Sequence, residues 1–209
     1  MARSRPGLPN HAVAELVWAN LREVGPPRYG DAATEVAQAM QRATDTPPTE
    51  QPFLGALTDL VEPWEAERQV RELLPPAQRN WTSDDYVEMT WYAPTARLYV
   101  GRPALAPRPD GRPYPSWVMN ALGGIPATID PTVECAAKTI AGSLLDLLRD
   151  EQTLAGARAE LHRRRAEYGD LAPLLPTDFT APVDYGWPEY TGAGRPGTWC
   201  VPDPREASS

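Results

Sequence analysis

Residues 114–148 read YPSWVMNALGGIPATIDPTVECAAKTIAGSLLDLL, and this stretch carries the strongest helix signal in the chain. It opens in a turn-rich segment with Pro115 and Gly123-Gly124, passes through Ile129-Asp130-Pro131, and then becomes periodic. Asp130 is a good N-cap residue because its carboxylate can accept from first-turn amides, and Pro131 suits a first helical position, where no amide hydrogen is needed. Val133, Ala136, Ala137, Ile140, Leu144, Leu147 and Leu148 recur at three- and four-residue steps, which predicts one apolar face and marks the helix as a core wall.

Working outward, composition narrows the function classes. The 209 residues suffice for one domain with a sizeable core, or a domain and an arm. The net charge of -8 argues against a nucleic-acid or membrane-surface partner, since no basic stripe exists to meet phosphates. The run Arg163 to Arg165 reads as the solvated end of a helix. Cys135 and Cys200 lack a CxxC partner and read as thiols in a reducing cytosol. No stretch reaches the roughly 18 apolar residues of a membrane span, and MARSRPGLPN lacks the apolar region of a secretion signal. The expected setting is cytoplasmic. The 25 prolines predict short elements joined by extended connections.

The periodicity predicts further helices over 12–24, with Val13, Leu16, Val17 and Leu21 on its apolar side, and over 31–43, with Ala33, Val36, Ala37 and Met40. A helical turn is expected within 53–60, a charged helix over 65–74, and another helix over 151–168 carrying Leu154, Ala157 and Leu161. Between them, Val87, Met89 and Trp91 alternate with polar residues, and so do Ala96, Leu98 and Val100, which predicts two short strands. The aromatic- and proline-rich tail after 170 has no period long enough to assign and reads as a strap across the surface. The fold class expected from this mixture is α/β.

SDDYVEMTWYAPT at 83–95, PSW at 115–117, the Gly-Gly turn and AAKTIAGSLLDLL at 136–148 together resemble the C-terminal part of the metal-dependent amidohydrolases, the aminoacylases and related carboxypeptidases. The likeness is nearest to the p-aminobenzoyl-glutamate hydrolase branch, and LPNHAVAELVWANLREVGPP at 8–27 fits the same branch. The resemblance covers most of 8–165. It implies the C-terminal half of an α/β metallopeptidase-like catalytic domain whose inserted dimerisation domain is absent. Residues 1–30 would hold the helix returning from that missing domain, 31–170 the catalytic part, and 171–209 the irregular tail.

The resemblance also implies a zinc or other divalent metal in the full-length family, held by an H-x-D segment, a Glu-Glu pair and a late histidine. None of these occurs here, and Pro115 stands where the late histidine would precede Trp117. No cofactor is therefore expected for this chain alone, because a catalytic zinc needs about three protein ligands and an open position. Asp84, Asp85 and Glu88 fall where the branch carries acidic residues, and they are the candidate substrate-cleft groups. The plainer reading of Asp84-Asp85 is a capped turn entering a strand. Arg97 and Arg102 offer planar forks for a carboxylate, and Cys135, placed near a first helical turn, is either a dipole-activated thiol or a buried structural one. Ser116 and Ser143 lack a nucleophile-elbow setting. The function implied is that of a fragment or split subunit of an amidohydrolase acting on N-acyl or aminobenzoyl amino acids, inactive alone. Its partner would be a separately encoded upstream half or a second copy. The alternative is a non-catalytic binding or dimerisation protein.

Overall fold

The computed structural model describes residues 5, 7–75, 87–169, 178–179, 189–191 and 198–200. Ser4–Asp170 forms one compact unit, and Met1–Arg3 with Leu171–Ser209 forms another. The first unit is built from six helices: α1 His11–Val24, α2 Asp31–Ala43, α3 Pro63–Leu73, α4 Ser116–Leu122, α5 Pro126–Arg149 and α6 Glu151–Ala166. Two 3-10 turns, Gly55–Thr58 and Val87–Trp91, punctuate the connections. In the second unit, strands β1 Glu189–Thr191 and β2 Thr198–Cys200 pair antiparallel, with Tyr190 opposite Trp199. No helix among the described residues is long and apolar enough to cross a membrane.

This architecture corrects the α/β expectation. The described residues are mostly helical, and their only β structure is a hairpin of two three-residue strands and an isolated antiparallel bridge between Phe53 and Leu105. Val87–Trp91 is a 3-10 turn because the Thr90 hydroxyl donates to Val87 O at 2.6 Å and accepts from Leu8 N at 2.7 Å. Val87, Thr90 and Trp91 face inward while Met89 is 68% exposed, so the alternation of a strand is not realised. Residues 95–100 run without regular hydrogen bonding beside the start of α1, where Thr95 O accepts from Asn10 N at 3.2 Å. No described segment forms a ladder with them. The halved catalytic sheet implied by the resemblance has no counterpart among the described residues.

The core has two parts. Ala37, Leu105, Val118 and Leu122 form a buried cluster against which Val36, Met40, Phe53 and Tyr114 pack, and the apolar side predicted for α2 supplies three of these eight. Tyr29 stacks on Phe53 at 4.3 Å. The other part is the bundle of α1, α5 and α6, with α2 against α5.

In that bundle α5 reverses the expected orientation. The helix starts at Pro126, so Asp130 is not its cap and Pro131 lies inside it. Its buried residues are Thr128, Thr132, Cys135, Thr139 and Ser143. The predicted core wall faces out: Val133 is 55% exposed, Ile140 49%, Leu144 55% and Leu148 82%. The small hydroxyl face can be buried because its polar atoms find carbonyls, Thr132 Oγ1 donating to Gly101 O and Thr128 Oγ1 to Leu122 O and Ile125 O, and the rest within the helix. Thr139 Oγ1 donates to Cys135 O and Ser143 Oγ to Thr139 O, each at 2.8 Å. Small side chains also let α1 approach closely. At Gly142 an added Cβ would stand 2.2 Å from Asn20 Oδ1, and Asn20 Nδ2 donates to Asp146 Oδ2 at 2.7 Å.

Candidate functional site: an aromatic and charged cleft at the start of α1

The site begins with the residue that starts α1. Asn10, buried after Pro9, accepts from Val13 N at 3.0 Å through Oδ1 and so satisfies a first-turn amide. Its Nδ2 donates 2.8 Å to Ala157 O of α6 and ties the helix start to that neighbour. One turn further along α6, the buried Glu160 carboxylate accepts from His11 N at 3.1 Å and from Ala12 N at 2.9 Å. A negative charge therefore sits on the positive end of α1. Burial pushes the Glu160 carboxyl up, but the amides of Ala12 and His11 together with Arg164 outweigh it and hold the group below its ordinary value.

Arg164, one turn beyond Glu160 on α6, closes the network. Its Nε donates to Glu160 Oε1 at 2.8 Å and its Nη2 meets His11 Nδ1 at 3.0 Å. Guanidinium can only donate, so His11 Nδ1 is the acceptor and the neutral ring carries its hydrogen on Nε2. Trp64, the second residue of α3, meets the His11 ring edge-on at 4.8 Å and 89°. α3 reaches this place because Glu62 caps it, accepting from Trp64 N at 2.9 Å, and Pro63 stands at its first position.

Asn10, His11, Glu62, Trp64 and Arg164, but not Glu160, line a cleft of about 470 Å³ with Trp18, Arg97, Glu167 and Tyr168. The Arg97 guanidinium lies 4.7 Å over the Tyr99 ring. A second cavity of about 470 Å³ adjoins it, sharing Trp18, Pro63 and Arg97 and continuing over apolar Leu21, Leu57, Leu60 and Leu98. The geometry is that of a binding cleft: aromatic walls, donors from arginine and imidazole, and an apolar annex.

The acidic residues singled out from the sequence are elsewhere. Glu88 accepts from Arg5 N at 2.6 Å and from Arg5 Nη1 at 2.9 Å, an ion pair that pins the chain start onto the 87–91 turn, and it does not line the cleft. Asp84 and Asp85 lie outside the described residues. Arg97 is in the cleft, whereas Arg102 reaches Met119 O at 3.4 Å. The Gly123 and Gly124 amides donate to Met119 O and Ala121 O and close α4. Cys135 is nine residues into α5, not in its first turn. Burial pushes its thiol up, and Sγ is 3.3 Å from Gly25 O, the environment of a structural thiol. Ser143 is buried in the α5 packing face. Among the described residues no three His, Cys, Asp or Glu side chains converge to hold a metal ion. The donor set described here does not fit the zinc centre that the resemblance implies.

Sequence reasoning missed Glu160 and Arg164. Their four-residue spacing on a helix is a visible ion-pair signal, but the partner that gives it meaning, the start of α1, is 148 residues away from Glu160. Comparison with family models, curated proteins and solved structures gives no match to this chain.

Proposed function

We propose that this chain is a binding protein for a small acyl amino acid, with an aromatic acyl group against Trp64 and Trp18 and the carboxylate toward Arg97 and the His11 Nε2–H. The observation that carries the reading is the Arg164–His11 contact at 3.0 Å. It occupies the imidazole lone pair on Nδ1 and leaves a donor on Nε2, so His11 is set to hold an acceptor rather than to remove a proton. The aromatic lining supplies stacking area, and the likeness of 83–95 and 136–148 to aminoacylases suggests the aminobenzoyl and N-acyl amino acids as the ligand class.

Calorimetric titration with p-aminobenzoyl-glutamate and N-acetyl-tryptophan tests this. Saturable binding in the micromolar to millimolar range is expected, weakened at least tenfold by Trp64→Ala and by Arg97→Ala. Trp64 is 46% exposed, so its removal should leave the melting temperature nearly unchanged. Absence of saturable heat with either ligand, or full binding by Trp64→Ala, overturns the reading. Release of free p-aminobenzoate in the same mixture would turn it from binder to hydrolase.

A further inference from the structure

The Cα of an acyl amino acid carries three substituents that diverge from one another: the acylated nitrogen, the carboxylate and the side chain. With the acyl group against Trp64 and Trp18 and the carboxylate toward Arg97 and His11, two of the three are placed in the cleft. Trp18, Pro63 and Arg97 border the apolar annex as well, so the Cα stands where the two cavities adjoin. The annex is then the space open to the third substituent. Its volume of about 470 Å³ falls within the roughly 300–1,000 Å³ of small-molecule sites, and the lone hydrogen of a glycine would leave it empty.

The lining selects the side chain. α1 supplies Val17 and Leu21, the Gly55–Thr58 turn and the residues after it supply Leu57 and Leu60, and the extended stretch 95–100 supplies Leu98 and Val100. Among the described residues that line the annex, the charged ones are Asp59 and Arg97. Arg97 stacks on Tyr99 and faces the ligand's own carboxylate, while the Asp59 carboxylate repels a second negative charge. An acidic side chain entering here would shed hydration and meet a like charge. An apolar one gains with every methylene it buries.

We propose, on the acyl amino acid reading of the cleft, that the annex is the side-chain pocket of the same site. The ligand class is then the aromatic acyl derivatives of large apolar amino acids such as leucine, taken in preference to those of glutamate.

Calorimetric titration of the full chain with p-aminobenzoyl-glycine, p-aminobenzoyl-leucine and p-aminobenzoyl-glutamate separates the two cavities. The glycine compound reads the cleft alone. The leucine compound should bind at least tenfold more tightly, since each buried methylene is worth about fourfold in affinity, and the glutamate compound no more tightly than the glycine one. Val17→Phe, which fills the annex from α1, should cut the leucine-to-glycine ratio below threefold. Leu60 is 36% exposed, so Leu60→Lys should keep the helical circular dichroism; it should weaken the leucine compound and strengthen the glutamate one until their affinities meet. Saturable binding of the glycine compound with no gain for leucine overturns the pocket and leaves the cleft reading standing. A leucine gain that survives both substitutions also overturns it, because the side chain then lies elsewhere. Absence of saturable heat with all three compounds overturns the cleft reading and the pocket with it.

Discussion

At Gly142 of α5 an added Cβ would collide with the Asn20 Oδ1 of α1, 2.2 Å away. Asn20 is held by Asp146 and by Leu16 O, so it cannot swing away freely. Gly142→Ala should therefore cost about 1–3 kcal/mol in urea denaturation, as overpacked sites do. Gly156 sits in the interior of α6 with nothing within 4 Å of its would-be Cβ. Gly156→Ala should stabilise by about 0.5–1 kcal/mol, the conformational gain of alanine in a helix. Glu160 makes a pH-dependent contribution. Its carboxyl is held below the ordinary carboxylate value of about 4.3, so it stabilises fully above that pH and loses the effect as pH falls through the lower folded value. Glu160→Gln should lower stability by roughly 1–3 kcal/mol at pH 7, with the two unfolding curves converging well below pH 4. The role of Asn10 is readable from its type, since an Asn before a periodic run caps a helix. Glu160 is not, because the amides it accepts from belong to a helix far away in the chain.

Helix α3 meets α1 through Trp64, whose ring lies edge-on to His11 at 4.8 Å. It has no buried residue, and its order comes from its own ladder, in which Arg68 reaches both Glu65 and Glu72 and Arg71 reaches Glu67. The Arg68 hydrogen bonds hold the Glu65 carboxyl down at about 2. Exposed pairs of this kind contribute little, so α3 should show the fastest amide hydrogen exchange of the six helices in mass spectrometry, ahead of α5 by orders of magnitude. Arg68→Ala should widen that gap. The existence of α1, α2, α5 and α6 was legible in their periodicity, because three- and four-residue steps survive any context, and that of α3 in its charged residues. The direction in which α5 faces was not. A period identifies an apolar side but not its partner, and Thr132, Thr139 and Ser143 resemble a solvent face in sequence because nothing there shows that nearby backbone carbonyls satisfy them. Val87, Met89 and Trp91 misled for another reason: five residues are too few to separate a period of two from the tighter 3-10 turn. Of the cleft, only Arg97 was legible, as a carboxylate fork. Its convergence with His11 and Trp64 required the tertiary fold.

At the scale of the molecule, a ligand in the cleft would tie stability to its own concentration. A ligand that binds only the folded chain adds to its stability as the cleft fills, so the melting temperature in calorimetry should rise with added p-aminobenzoyl-glutamate and stay constant in Trp64→Ala. The apolar annex beside the cleft is bounded by α1 and, at Cys135, by α5. The Cys135 Sγ stands against Gly25 O, where α1 ends. Cys135 is buried but also lines the apolar annex, so a reagent small enough to enter that cavity can meet the sulfur. The rate at which an alkylating agent marks Cys135, followed by peptide mapping, is therefore a gauge of whether the annex stands empty or filled, without any label having to be introduced.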